Sequence, residues 1–195
     1  ATNQRSMLLL SYFSGWVKLM IHLVLGGARS GKSRFAEQCV AEYAAIGYQC
    51  VYLATATALD TEMSQRIHQH QQDRVSSPHG WILHEQAYDI AQTLVAIDKP
   101  QQVILLDCLT LLLTNHLLLD DGASWAMQKS LLLDSLSALQ SEVVLVSNEV
   151  GSGIVPMGEL NRRFVDEAGW LNQAVAAISD QVTLVVAGLP LPLKA

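Results

Sequence analysis

Gly26-Gly27-Ala28-Arg29-Ser30-Gly31-Lys32-Ser33 is the stretch on which the fold turns. It matches G-x-x-x-x-G-K-[ST] in full. Before it, Ile21-His22-Leu23-Val24-Leu25 is a short apolar run that reads as a first buried strand. After it, Phe35, Ala36, Cys39, Val40 and Tyr43 recur at helical spacing from Lys32 to about Ile46. Gly47 then stands where a glycine ends a helix. Strand, glycine loop and helix in that order make the octapeptide a phosphate-binding loop rather than a chance turn. The spacing has a physical reason. Glycines let successive backbone N–H groups turn inward around phosphate oxygens. The helix that starts near Lys32 adds its positive dipole end. Lys32 supplies a point charge for the β- and γ-phosphates, and the Ser33 hydroxyl is the expected Mg²⁺ ligand.

Working outward, apolar runs and helical patterns alternate. Cys50-Val51-Tyr52-Leu53-Ala54, Val103-Ile104-Leu105-Leu106 and Val143-Val144-Leu145-Val146 read as buried parallel strands. Trp81-Ile82-Leu83 reads as a short strand, and Val182 to Ala187 as the last one. Helices are expected near residues 60–74, from Tyr88 to Ile97, Leu109 to Leu119, Trp125 to Leu139 and Glu159 to Ile178. The pattern predicts an α/β fold: a P-loop NTPase-like, doubly wound, mostly parallel sheet with flanking helices. A phosphate loop also calls for an acid at the end of a buried strand, to hold Mg²⁺ through water. Asp107 ends the run Val103–Leu106 and fits, although an aspartate there could also cap the helix that starts at Leu109. No N-K-x-D guanine-reading motif occurs, which argues against a switch-type GTPase.

Bulk properties narrow the class. The chain has 195 residues, half of them hydrophobic and 15% charged, which suits one sizeable core. The formal net charge is -6, so no general pull toward nucleic acid or anionic lipid is expected. Cys39, Cys50 and Cys108 are odd in number and lack C-x-x-C spacing, which predicts plain thiols in a reducing cytoplasm. Met7 to Val17 contains an apolar run, but it is far shorter than the ~20 residues that span a bilayer. No stable membrane insertion is expected. Residues 1–19 are expected to lie outside the fold, with a single nucleotide-binding domain over 20–195.

The segment Asp60 to Arg74 carries a second signal. On a helix, Met63, Arg66, Ile67, His70 and Arg74 share one face. His70 would then sit between guanidiniums at i−4 and i+4, with His68 about 200° away. Such a histidine can be solvated surface, a metal ligand or a nucleophile toward phosphorus, with the arginines neutralising phosphate oxygens.

These residues resemble one family: the bifunctional adenosylcobinamide kinase / adenosylcobinamide-phosphate guanylyltransferases of cobalamin biosynthesis. The resemblance runs from Met20 to about Lys194. It includes the phosphate loop, Tyr52-Leu53-Ala54-Thr55, Leu59 to Met63, and Arg66-Ile67 with His70 and Arg74. It continues through Leu105-Leu106-Asp107-Cys108 with Thr114-Asn115, Val144 to Gly151, Ile154-Val155-Pro156, and Arg163 to Asp166 with Gly169 and Asn172. The His70 segment and the Asn148-Glu149-Val150-Gly151 loop are far more specific than the phosphate loop.

The resemblance implies two reactions. A terminal phosphate passes from ATP or GTP to the aminopropanol hydroxyl of adenosylcobinamide. GMP then passes from GTP to adenosylcobinamide phosphate through a guanylyl-histidine, and His70 aligns with that histidine. It implies nucleotide contacts at Gly26, Gly27, Ala28, Arg29, Ser30, Gly31, Lys32 and Ser33. Further contacts fall at Thr55, Ala56, Thr57, Gln71, Gln72, Asp73, Arg74, Glu85 and Asp107, with Mg²⁺ at Ser33 and Asp107. The 148–151 loop is expected near the substrate, with turn-making as the alternative, and Arg162 and Arg163 in solvent, with contact to phosphate as the alternative.

Some positions depart from the family pattern. Asp107 stands where relatives often carry glutamate, Gln69 replaces a histidine, and Ser77–Gly80 looks like a small insertion. The alternatives are a single-activity P-loop kinase, or a nucleotide-binding protein without group transfer. The apolar stretches Leu111–Leu119 and Leu131–Leu139 suggest helix faces that meet another subunit, hence a homo-oligomer.

Overall fold

Apolar runs too short for helices pair edge to edge, and amphipathic helices cover the two faces of the sheet they make. The computed structural model describes residues 19–57, 80–154 and 157–195. In chain order the elements are β1 (Ile21–Gly26), α1 (Lys32–Ala44), β2 (Gln49–Ala54), β3 (Ile82–Glu85), α2 (Ile90–Ile97) and β4 (Gln102–Asp107). There follow α3 (Leu109–Asp120), α4 (Trp125–Ala138), β5 (Glu142–Asn148), α5 (Glu159–Ile178), β6 (Gln181–Val186) and β7 (Leu189–Lys194).

The strands form one sheet in the order β3-β2-β4-β5-β1-β6-β7. All neighbours run parallel except β7, which pairs antiparallel with β6. Side chains alternate along each strand, so the inner strands feed two cores. Leu23, Leu53, Ile104, Leu106 and Leu145 face one side, where α2, α3, α4 and α5 contribute Leu94, Leu113, Leu132 and Leu171. Val24, Tyr52, Leu105 and Val146 face the other, under Ala36 and Val40 of α1. The strand–helix alternation and the mostly parallel sheet are as the sequence predicts.

One reading needs correction. Val182–Ala187 is not the last strand, because β7 follows through a tight turn at Ala187 (φ 52°) and Gly188 (φ 78°). Positive φ at both central residues is the type I′ geometry that suits hairpins. Pro190 and Pro192 disguise β7 as a loop. An edge strand tolerates them, because its outward N–H groups have no ladder partner to lose. The stretches Leu111–Leu119 and Leu131–Leu139 are divided between core and surface. Leu112, Leu113, Leu117, Leu132, Leu136 and Leu139 fill the chain's own core, and Leu118, Leu119 and Leu131 remain exposed. No helix among the described residues is long and apolar enough to cross a membrane.

Candidate nucleotide site at the carboxyl edge of the sheet

The loop between β1 and α1 has the backbone that its glycines and small residues predict. Arg29 and Gly31 both take positive φ, 57° and 93°. Left-handed residues alternating with ordinary ones turn consecutive N–H groups into one concavity, which suits an anion. Gly31 is the N-cap of α1 and no side chain caps it, so the first-turn N–H groups stay available to a ligand. At Gly26 a Cβ would come within 2.8 Å of the Val185 carbonyl and 2.3 Å of Ser30 Oγ, so only glycine fits that close crossing. Lys32 Nζ rests on the Gly27 carbonyl at 3.3 Å. The β6–β7 turn braces the loop from outside, where Gly188 N donates to the Ser30 carbonyl at 2.8 Å.

Sheet register brings the other described site residues to the same edge. Glu85 pairs with Ala54, Ala54 with Asp107, Asp107 with Val146, and Val146 with Val24. Asp107 therefore stands two strands from β1, about 10 Å across the sheet at the usual strand spacing. It does not cap α3. The N-cap is Cys108, with no side-chain cap bond, and Asp107 Oδ2 instead accepts the Tyr52 hydroxyl at 2.8 Å. Thr55, Ala56 and Thr57 form the exit loop of β2. Thr55 Oγ1 accepts from Cys108 N and donates to Cys108 O, both at 2.8 Å. The Thr57 hydroxyl donates to Asn115 Oδ1 at 2.7 Å, and Asn115 Nδ2 donates to the carbonyls of Thr55 and Ala87. Glu85 is exposed at the end of β3.

His70, Gln71, Gln72, Asp73 and Arg74 lie outside the described residues, as does the helix expected over 60–74. Arg162 and Arg163 on α5 are both exposed, as expected, and each guanidinium also reaches a backbone carbonyl, Met157 and Asp121 respectively. The cysteines are free thiols. Burial, reinforced by the Asp107 charge, pushes Cys108 up to about 11, and burial pushes Cys39 up to about 12. Neither is a nucleophile near neutral pH.

Sequence reading finds Asn115 and Asn172 only as matched positions, and misses Tyr52 as a site residue altogether. Tyr52 sits in a continuous apolar run, where its phenol reads as bulk. The available signal is its parity. Tyr52 pairs with Leu105, two residues before Asp107, so both side chains lie on one face of the sheet.

This arrangement can seat a polyphosphate on backbone N–H groups and Lys32, with oxygen donors Ser33 and Asp107 at the same edge. Comparison with known proteins agrees in kind. The family model described as cobinamide kinase / cobinamide phosphate guanyltransferase matches residues 22–193. The bifunctional adenosylcobalamin biosynthesis protein CobP of Pseudomonas aeruginosa is 49% identical over 175 residues, covering 90% of this chain and 98% of that one. The bifunctional adenosylcobalamin biosynthesis protein CobU of Escherichia coli is 40% identical over 189 residues, covering 90% and 100%. Among solved structures, a KaiC-like protein of the hyperthermophilic archaeon Pyrococcus horikoshii is similar at a TM-score of 0.46 with 14% identity, over 85% of this chain and 70% of that one.

Proposed function

The chain belongs to the cobinamide kinase / cobinamide phosphate guanyltransferase family and is a bifunctional kinase and guanylyltransferase; from that premise we propose how its own residues divide the two reactions. Membership removes the alternatives of a single-activity kinase and of a binding protein without group transfer.

In the kinase reaction, ATP or GTP lies with its phosphates on the N–H groups of Gly26–Ser33. Lys32 leaves the Gly27 carbonyl and swings to the β- and γ-phosphates. The aminopropanol hydroxyl of adenosylcobinamide attacks the γ-phosphorus. The bond to the β,γ-bridging oxygen breaks, a nucleoside diphosphate leaves, and the hydroxyl proton passes to solvent. Positioning and charge stabilisation supply most of the catalysis in such transfers. Ser33 and Asp107 offer hard oxygen donors, which fits Mg²⁺, an ion that keeps several waters and takes few protein ligands. Bound there, Mg²⁺ would supply charge neutralisation at the β- and γ-phosphates.

In the guanylyl reaction, neutral His70 attacks the α-phosphorus of GTP and pyrophosphate leaves. The GMP then moves from the histidine to adenosylcobinamide phosphate, giving adenosylcobinamide-GDP. A covalent step splits one difficult displacement into two. Thr55, Ala56, Thr57 and Glu85 stand at the edge where the nucleotide would extend, and Gln71–Arg74 belong to the same reading. We place the enzyme in the cytoplasm. The exposed Leu118 and Leu119 on α3, with Met127 and Leu131 on α4, support a homo-oligomer.

The observation that carries this reading is the phosphate loop and Lys32 at the same sheet edge as Asp107. The test is protein labelling with α-³²P-GTP and Mg²⁺ on wild type and on His70→Ala, with γ-³²P-GTP as control. Acid-labile, alkali-stable label from the α-position on wild type alone is the expected result. Equal α-label on His70→Ala would move the nucleophile elsewhere, and no label on either protein would remove the covalent step.

A further inference from the structure

Two buried side-chain polar atoms among the described residues have no hydrogen-bond partner: Ser30 Oγ and Asn148 Oδ1. Each belongs to a residue beside Gly26. Ser30 Oγ presses so closely on Gly26 that a Cβ there would be 2.3 Å from it. Asn148 is the register partner of Gly26 on the adjacent strand β5. Buried polar atoms in native proteins are nearly always paired, so two exceptions at one glycine of a phosphate loop need a reason.

The backbone at Asn148 is held on both sides while its Oδ1 has no hydrogen-bond partner. Asn172, buried on α5, donates its Nδ2 to the Asn148 carbonyl at 3.1 Å and accepts the Ser147 hydroxyl at 2.6 Å. On the other side, Glu149 N donates to the Gly26 carbonyl at 3.1 Å. The end of β5 is thus clamped from behind by α5 and from the flank by β1. Strand order places β5 between β1, which carries the phosphate loop, and β4, which ends in Asp107. The terminal phosphate of a nucleotide held by both would lie over that gap.

We propose that the Asn148 carboxamide is a catalytic residue of the kinase reaction, donating a hydrogen bond to a non-bridging oxygen of the phosphoryl group in transfer. This rests on the phosphate-loop reading given above. A carboxamide suits the place. Its two ends are interchangeable by rotation about χ2, so Nδ2 can be turned to the phosphate. It brings a donor without a negative charge, whereas a carboxylate would repel the phosphate oxygens. The residue forms no covalent bond and moves no proton. Its cost to the empty fold is one unpaired polar atom, the kind of local compromise expected at functional sites.

The assignment makes an unusual joint demand, because removing an Oδ1 that has no partner takes no bond of that atom from the fold. The experiment measures γ-³²P transfer to adenosylcobinamide and the melting temperature, for the full chain carrying Asn148→Ala, Asn148→Asp or Lys32→Met. Asn148→Ala should lower kcat about 100-fold, the usual scale for one lost donor at a developing charge. Its nucleotide KM should stay within about threefold and its Tm should equal or exceed wild type. Asn148→Asp should be at least as slow. An Asn148→Ala kcat within about threefold of wild type overturns the assignment. A Tm below wild type overturns it too, since Asn148 would then be a packing residue. Wild-type kcat in Lys32→Met would instead remove the phosphate-loop reading itself.

Discussion

Tyr52 on β2 donates its hydroxyl across to Asp107 on β4, at 2.8 Å, and the same ring stands edge-on to Trp81 at 5.6 Å between centroids. The bond takes one carboxylate oxygen and fixes the plane of the group, which leaves the other oxygen aimed by that constraint. Groups that orient a metal-binding carboxylate typically matter about 10–100-fold to metal affinity or activity. Tyr52→Phe should therefore raise the Mg²⁺ concentration for half-maximal kinase activity about tenfold. Activity at saturating Mg²⁺ should change little. Fold stability should also change little, because the ring and its Trp81 contact are retained. A Mg²⁺ titration of initial rates checks this, and an unchanged midpoint would show that Asp107 needs no orienting bond.

Asn115 ties three pieces of chain together at the same edge. From inside α3 it satisfies the Thr55 and Ala87 carbonyls and accepts the Thr57 hydroxyl, and it is itself buried. Asn115→Leu keeps the volume and strands those carbonyls. Leaving buried acceptors unpaired should cost about 2–3 kcal/mol. Urea unfolding should show that loss as a lower midpoint with the same slope. The exit loop of β2 would lose its brace in the folded state as well, so nucleotide KM should rise even where the variant is fully folded.

Much of this is legible in the sequence because its physics is local. The phosphate loop is a contiguous octapeptide whose chemistry depends on spacing alone, and Leu23, Ile104 and Leu145 announce buried strands by unbroken apolarity. What stays hidden depends on pairing between distant segments. Nothing local says that β5 lies between β1 and β4, and so nothing local says that Asn148 stands beside Gly26. Tyr52, Asn115 and Asn172 look like ordinary core or helix residues until register sets their partners. β7 escapes notice because two prolines outweigh three leucines in any propensity reading, although an edge strand exempts prolines from the rule. The His70 segment is legible only through resemblance, because a histidine between arginines has three physical readings and no spacing that chooses among them.

His22 predicts a pH dependence of stability. It is buried in β1, its Nε2 lies 2.9 Å from Thr183 Oγ1, and burial lowers its pKa from 6.5 to about 4. The unfolded chain binds a proton on this histidine below 6.5, while the folded chain does not until about 4. The neutral-histidine contribution is therefore complete above 6.5 and is lost as pH falls toward 4. The slope is about 1.4 kcal/mol per pH unit across that window, about 3 kcal/mol in all. Glu142 acts in the opposite sense. Burial raises its pKa, so it favours the folded state as pH falls. The clean measurement is a difference: denaturation midpoints of wild type and His22→Gln from about pH 4 to 7. The stability gap between them should change with pH in the stated direction, and parallel curves would show that His22 titrates normally.

Gly26 and Gly27 are adjacent, both belong to the phosphate loop, and their substitution should fail in different ways. A Cβ at Gly26 meets the Val185 carbonyl at 2.8 Å, and backbone in the middle of a sheet cannot give way. Gly26→Ala should destabilise the fold, by about 1–3 kcal/mol for overpacking, and lower Tm accordingly. A Cβ at Gly27 meets nothing within 4 Å, and its φ is not in the left-handed region. Gly27→Ala should fold as wild type, with Tm within about 1 °C. Open space beside a phosphate-binding backbone is nevertheless where a phosphate would approach, so the methyl group should weaken nucleotide binding without touching the protein. The check is Tm with and without saturating nucleotide. Gly26→Ala should be low in both, whereas Gly27→Ala should match wild type alone and lose most of the ligand-induced rise. If Gly27→Ala kept the full rise, the nucleotide would not pass over Gly27, and the phosphates would have to enter the loop from the Lys32 side.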